Sequence, residues 1–253
     1  MRKHLIWVLG LAVALASVAF ASLASGAANT QEIVVQVKPK KLPKKERAPI
    51  SLNVNVFATN PGNAQQVPNP TTLALVDFDK DMKFQQKGFP TCDPTQFGSQ
   101  STTQDVKDAC PDAIVGSGTA TVVLKSGPGL PPLTVHAETV GANVKGNKVL
   151  LHSYTKEAGG VPLVGSFKKS TGGSKYGQML VTPVPPLAGG AGVITQFQLL
   201  TDKITYKHGG KKLAIVSSKC SGPKKLDFQA RFTDDQNQVA TGTDTVKCKQ
   251  KKH

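Results

Sequence analysis

Residues 87–124 read KGFPTCDPTQFGSQSTTQDVKDACPDAIVGSGTATVVL, and the fold prediction starts from this stretch. Cys92 and Cys110 enclose a loop with extended segments on both sides. Within the loop, any of the hydroxyl residues at 101–103 is a suitable N-cap for a short helix through DVKDA, which Pro111 helps to end. A disulfide across a loop of this length stabilises a fold by ~3 kcal/mol in the chain-entropy model.

The rest of the chain carries signals for strands and turns. SLNVNVF alternates apolar and polar side chains, and DFQARF places Phe228, Ala230 and Phe232 on one face. The segments between such runs are rich in glycine or proline, as in STGGSK and PVPPLAGGAG. Short strands at this spacing point to an antiparallel sandwich or barrel. We predict an all-β protein, an antiparallel β-sandwich (Greek-key or jelly-roll-like), with one short helix in the disulfide-closed loop.

Residues 1–27 have the three parts of a secretory signal peptide. Basic residues at 2–4 precede an apolar run over 5–21, and small residues follow. The alternative is an uncleaved anchor, because a run of about 17 apolar residues is at the lower limit for spanning a bilayer. The small residues favour cleavage. We therefore expect a secreted protein, extracellular or cell-envelope-associated, with no transmembrane segment after signal cleavage.

All four cysteines lie in the predicted exported part, where disulfides form and persist. Four cysteines allow three pairings, and proximity in sequence favours Cys92 with Cys110 and Cys220 with Cys248. A zinc site is the competing interpretation. It is disfavoured because the sequence has no CxxC and no histidine at ligand spacing from a cysteine.

The chain is strongly basic, with a formal net charge of +15. Loss of the two basic residues of the signal peptide leaves 29 basic and 16 acidic side chains, a charge of +13. Such a field favours polyanions, among them wall polymers, anionic lipid headgroups and nucleic acid. Because the protein is predicted to be exported, we expect no nucleic-acid partner.

Residues 28–49 are predicted to form a basic, proline-rich arm. Its end, KPKKLPKKERAP, has prolines at 39, 43 and 49 that exclude a regular helix and favour an extended form. The alternatives are a solvated leader, which crosses the envelope or lies along an edge strand, and an electrostatic anchor. We predict a single β-sandwich domain over 50–248 and a basic, frayed tail over 249–253. The candidate polyanion-binding residues are Lys38, Lys40, Lys41, Lys44, Lys45 and Arg47.

Several short sequence segments of this chain, taken together, resemble those of a known group of proteins. KLPKKERAPISLNV, KGFPTC with a second cysteine before VGSGTATV, KYGQMLVTPVP and the late cysteine pair resemble a group of secreted, uncharacterised actinobacterial proteins with a signal peptide and two cysteine pairs. The resemblance covers nearly the whole mature chain. It implies the compartment and the fold class only.

The motifs of common hydrolases are missing from the sequence. There is no HExxH and no GxSxG, and the SxxK spacing at Ser166 with Lys169 and at Ser221 with Lys224 falls in strand or turn contexts rather than at the start of a helix. The only tryptophan, Trp7, leaves with the signal peptide, so aromatic platforms for sugars are scarce. We predict no catalytic residues and no cofactor.

Asp77, Asp79 and Asp81 form DxDxD, a spacing that can present oxygen ligands to calcium. An EF-hand loop needs glycine at its sixth position and glutamate at its twelfth, where Met82 and Gly88 stand. We therefore predict an exposed acidic face and turn without a metal.

The function predicted from these features is a binding or structural role with anionic cell-envelope polymers or lipid headgroups. The alternative is an unrecognised hydrolase or acyl transferase that acts on wall polymers. A binding module is expected to have a broad basic face, whereas an enzyme requires a nucleophile and a base within hydrogen-bond reach of each other in a pocket.

Overall fold

The computed structural model describes residues 28–126, 130–222 and 224–251. The predicted signal peptide and the last two residues of the predicted tail lie outside this part of the chain. Short 3-10 helices occur at Pro94–Gln96, Pro111–Ala113 and Ala188–Gly190. The α-helix is α1 (Thr103–Ala109), and the strands are β1 (Thr30–Lys38), β2 (Lys41–Leu42), β3 (Ala48–Pro49), β4 (Ser51–Thr59), β5 (Thr71–Asp79), β6 (Met82–Phe84), β7 (Ile114–Leu124), β8 (Leu133–Val144), β9 (Lys148–Thr155), β10 (Gly159–Lys169), β11 (Tyr176–Pro183), β12 (Gly192–Thr201), β13 (Thr205–His208), β14 (Lys211–Ala214), β15 (Val216–Ser218), β16 (Lys225–Asp234), β17 (Val239–Lys247) and β18 (Lys249–Gln250).

Eleven strands form one large, nearly closed sheet with the order β1-β4-β12-β7-β8-β9-β10-β11-β5-β16-β17. Neighbouring strands in this sheet run antiparallel throughout. A small sheet, β3-β15-β6, the hairpin β13-β14 and the parallel pair β2-β18 complete the described structure. The prediction of a mainly antiparallel β protein with one short helix is therefore confirmed.

The strands follow from the alternation of apolar and polar side chains. In β16, Phe228 and Ala230 are fully buried, while Gln229 and Arg231 on the opposite face keep part of their surface exposed. Phe228 is paired with Phe78 of β5, and their rings meet edge to face with centroids 6.5 Å apart. Such a pair contributes about 0.5–1.5 kcal/mol beyond the area it buries.

The two edge strands, β1 and β17, lie against each other and form a seam that nearly closes the sheet. The N–H of Val35 donates to Oδ2 of Asp244 over 2.7 Å. At Gly242, a Cβ would lie 2.6 Å from the carbonyl oxygen of Gln31, so this close approach requires glycine. Unpaired edge strands are prone to pair with other chains. Because β1 and β17 cover each other at the seam, both edges are less accessible to such pairing.

The loop closed by the Cys92–Cys110 disulfide contains α1, as predicted. Thr102 is the N-cap: its hydroxyl accepts from the N–H of Asp105 over 3.1 Å, and the Asp105 carboxylate accepts from the N–H of Thr102 over 2.7 Å. This capping box satisfies two N–H groups that a helix start otherwise leaves free. The helix ends at Ala109, one residue before the second cysteine.

His152 of β9 and Gly160 of β10 hold this loop against the sheet. The N–H of Gly160 donates to Ser99 over 2.7 Å, and Nε2 of His152, which is fully buried, donates to the carbonyl of Ser101 over 2.8 Å. Nδ1 of His152 is buried without a hydrogen-bond partner in the described structure. Burial lowers the pKa of His152, and the hydrogen bond to Ser101 opposes this only in part.

The predicted arm, residues 28–49, belongs to the folded structure, and its first part is an edge strand of the large sheet. β1 pairs with β4 through nine residues and buries Ile33, Val35 and Val37. These three residues form a period-two pattern, which indicates a strand. The charge run that follows them indicates a solvated segment instead. The sheet thus begins at β1 rather than at residue 50, although the segment is extended as its prolines indicated.

We expect Gly242→Ala to destabilise the seam, because the added Cβ would lie 2.6 Å from the carbonyl oxygen of Gln31. Overpacking of this kind costs about 1–3 kcal/mol, measured as the free energy of unfolding in urea. Gly98→Ala is the control, since a Cβ there meets no atom within 4 Å. Equal losses in the two variants would contradict the role of Gly242.

The buried His152 predicts that stability falls as pH falls. Its pKa in the folded state is below the ordinary value of 6.5, so the unfolded chain binds the proton more readily, and stability is lost as pH drops through that value. The His152→Gln variant should show a weaker loss than the parent between about pH 7.5 and 5.5. Urea unfolding at several pH values measures both, and identical pH profiles would refute this role of His152.

Candidate functional site

The basic segments from the two ends of the described chain lie side by side. β2 runs parallel to β18, with Lys41 next to Lys249. The N–H of Lys249 donates to the carbonyl of Lys40 over 2.7 Å, and that of Lys251 donates to Leu42 over 2.8 Å. The tail, predicted to be frayed, is instead held to the arm through residue 251.

The Cys220–Cys248 disulfide lies beside this pairing, and the predicted connectivity is confirmed, with the two Cα atoms 6.2 Å apart. The N–H of Cys220 donates to the carbonyl of Pro43 over 2.8 Å, and that of Cys248 donates to Lys224 over 2.8 Å. Nε2 of Gln250 donates to the carbonyl of Cys220 over 2.9 Å. Hydrogen bonds and this disulfide therefore join the arm, the tail and the residues Cys220 and Lys224 into one unit.

Two apolar anchors fix the backbone of the arm. Leu42 and Ile50 are fully buried in the main apolar cluster, whereas the lysines around Leu42 point to solvent. The exposed basic residues of the unit are hereafter called the basic edge: Lys38, Lys40, Lys41, Lys44, Lys45, Arg47, Lys224, Lys247, Lys249 and Lys251. Five of the six predicted arm residues are lysines with exposed side chains, and all six lie in this edge.

Arg47 has a different role from the lysines, because its guanidinium is engaged. Nε donates to the carbonyl of Asp81 over 2.9 Å, and a terminal nitrogen donates to the carbonyl of Lys80 over 3.0 Å. The Asp81 carboxylate in turn accepts from the N–H and the hydroxyl of Ser221 and lies 3.8 Å from Nζ of Lys219. Asp81 and Arg47 thus attach the basic edge to the turn between β5 and β6.

The DxDxD segment is buried, which corrects the prediction of an exposed acidic face. Asp77, Asp79 and Asp81 are 0%, 6% and 5% exposed. The two Asp79 oxygens accept from the N–H groups of Asp81 (2.8 Å) and Asp227 (2.9 Å). Burial raises the pKa of Asp79, against the lowering effect of these two hydrogen bonds.

Asp77 is buried because a distant turn covers it. Its carboxylate accepts from Nε and a terminal nitrogen of Arg231 at 3.0 and 2.8 Å, and from the hydroxyl of Ser170. The connection between β10 and β11 folds over this pair, and a Cβ at Gly172 would lie 3.0 Å from Oδ2 of Asp77. The alternation of DFQARF and LALVDF puts Arg231 and Asp77 on the outer face, but it gave no sign that this turn would bury Asp77 there.

The described residues contain no group of three or more His, Cys, Asp or Glu side chains placed to hold a metal ion. The three aspartates share a short segment, yet N–H, hydroxyl and guanidinium donors already occupy their oxygens. A calcium ion would have to displace those donors, each of which is itself partly or fully buried.

The serine–lysine spacings do not produce a catalytic pair. Ser166 and Lys169 are three residues apart in β10, so they project from opposite faces of the strand. The hydroxyl of Ser221 donates to the Asp81 carboxylate over 2.6 Å, and Lys224 belongs to the exposed basic edge. In the structure Ser221 therefore anchors the backbone near the disulfide.

No protein-family model, no curated protein and no solved structure matches this chain. The resemblance to exported actinobacterial proteins therefore stays a hypothesis. None of the described helices is long and apolar enough to cross a membrane.

We expect calcium to leave the stability of the protein unchanged, because donors from the protein already occupy the oxygens of Asp77, Asp79 and Asp81. Thermal unfolding in millimolar calcium and in a chelator should give the same midpoint. A cation that binds the folded state would raise the midpoint with its concentration. An increase of several degrees would show that a site forms despite these contacts.

Proposed function

We propose that this is a secreted, cell-envelope-associated protein that binds anionic envelope polymers through the basic edge. The observation that carries the proposal is the parallel pairing of β2 with β18, which joins the basic arm to the basic tail. Two disulfides are compatible with an extracellular location. The predicted signal peptide and the charge of the chain support the same assignment.

The arrangement favours a polymer with repeated negative charges. Lysine ammonium groups are compact point charges that attract phosphate and carboxylate without demanding one geometry. Many weak contacts add along a polymer, because each later contact forms at a high effective concentration. The buried anchors and the disulfide hold the backbone in place, which lowers the entropy lost on binding.

We also infer that the nearly closed sheet is organised as the predicted β-sandwich, with its two halves facing each other. One apolar cluster contains Val35 of the edge strand β1 together with Leu163 of β10. These strands stand far apart in the sheet order, so a shared cluster is expected when the sheet folds back on itself.

The test measures retention of the mature protein on an immobilised wall polymer rich in phosphate, across a series of NaCl concentrations. Exposed charges are screened beyond about 8 Å at physiological ionic strength, so retention should fall steeply as salt rises. Changing Lys40, Lys41, Lys249 and Lys251 to Gln should weaken binding about tenfold or more. Arg47 is kept, because it holds the Asp81 turn.

A matched control removes four exposed lysines outside the basic edge. These lysines, changed to Gln, are Lys107, Lys125, Lys145 and Lys156. Both variants lose the same net charge, so equal weakening would show that only the total charge matters, and the basic edge would not be a site. Retention that ignores salt would also contradict the proposal. Binding to vesicles of anionic lipid is measured in parallel. Tighter binding to the vesicles than to the polymer would contradict the polymer as the partner and would identify the membrane surface instead.

A further inference from the structure

The interior of the nearly closed sheet is partly hollow. A cavity of about 130 Å³ lies between the strands. Apolar side chains line most of it, among them Val54, Val76, Phe84, Phe167 and Phe232. These five residues are only partly buried although they pack against the main apolar cluster.

This partial burial distinguishes the cavity from an ordinary core. Protein interiors normally pack at the density of organic crystals, with few voids larger than a water molecule. An apolar cavity of about 150 Å³ in another protein stays dry and binds benzene. The cavity inside this sheet is of similar size, so its walls favour an apolar occupant over water.

One residue that lines the cavity has a buried side-chain amide with an unpaired oxygen. Gln86 lines it and is 8% exposed. Its Nε2 donates to the carbonyl of Lys148 over 2.8 Å, whereas its Oε1 is buried without a hydrogen-bond partner in the described structure. A buried acceptor left unsatisfied costs about 1–3 kcal/mol. This oxygen has almost no accessible surface in the described structure, so a ligand hydroxyl would satisfy it only after the Gln86 side chain turns toward the cavity.

A second cavity borders the first. It has a volume of about 210 Å³ and shares Thr71, Val184 and Ile194 with the first. Ile194 lies at a register shift in the pairing of β12 with β7. It follows the glycine- and proline-rich connection 184–192, which forms part of the wall of the second cavity. The two cavities therefore lie next to each other, with Ile194 at their common wall.

We propose that this interior binds a neutral single-chain lipid, an aliphatic alcohol in its simplest form. In the bound state the Gln86 side chain turns so that its Oε1 accepts from the hydroxyl, and the alkyl chain occupies the apolar cavity as far as Ile194, one of its lining residues. The binding is non-covalent and differs physically from binding at the basic edge. It depends on buried apolar area rather than on charge, so it should not weaken as salt rises.

The experiment measures binding of 1-hexanol and 1-octanol to the mature protein by calorimetry, with 1-octyl methyl ether as the ligand that lacks the donor. We expect one saturable site and ~fourfold tighter binding for each added methylene. The alcohol should bind about fivefold better than the ether in the parent and equally well in Gln86→Leu, which removes the acceptor. No saturable binding, or no preference for the alcohol in the parent, would overturn the proposal.

Cavity-filling variants locate the site. Val76→Phe places a larger side chain in the cavity and should weaken octanol binding about tenfold or more. Ala74→Val adds less volume at another lining position. It replaces Val76→Phe in the experiment if that variant does not fold. Unchanged affinity in the folded variant would refute the site. Intermolecular NOEs from octanol should reach Leu180 of the cavity wall, whereas NOEs confined to the exposed Leu133 and Val239 would place the ligand on the surface.

Discussion

The contact between β1 and β17 is the constraint on which the other features depend. It joins the two edges of an eleven-stranded sheet through the Val35 N–H and the Asp244 carboxylate, and it requires glycine at position 242. β1 leads into the basic part of the arm, residues 38–47, and β17 leads into the tail. The same contact therefore brings both basic segments to one place. Because the sheet nearly closes, its apolar faces enclose a space that side chains fill only in part.

The basic segments near the two ends of the described chain are then fixed by groups that lie far from them in sequence. Asp81 accepts from Ser221, and Arg47 donates to the backbone of the same turn. Buried carboxylates are costly unless their oxygens are satisfied, and here backbone N–H groups, hydroxyls and guanidinium groups satisfy them. Asp81, the last aspartate of the DxDxD segment, is therefore a structural support for the basic edge.

The two proposed sites use opposite physical properties of one framework. The basic edge keeps its charges in water, where they act over a distance set by salt. The interior offers mainly apolar surface, and Oε1 of Gln86, one of the lining residues, has no hydrogen-bond partner in the described structure. The β2-β18 pair and the Cys220–Cys248 disulfide lie beside the first site, and the connection 184–192 borders the second. Each can therefore be tested without altering the other.

The sequence by itself determined the β class, favoured the cysteine pairing that the structure shows, and placed a helix start within residues 101–103. These features depend on alternation, on short separations and on side chains within one turn, all of which are local. Only the tertiary structure decided the burial of Asp77, the place of the arm and the hollow interior. The cover over Asp77 comes from the turn after β10, and the partner of Lys41 is Lys249. Local patterns predict which face a residue occupies, whereas burial depends on which distant segment packs over that face.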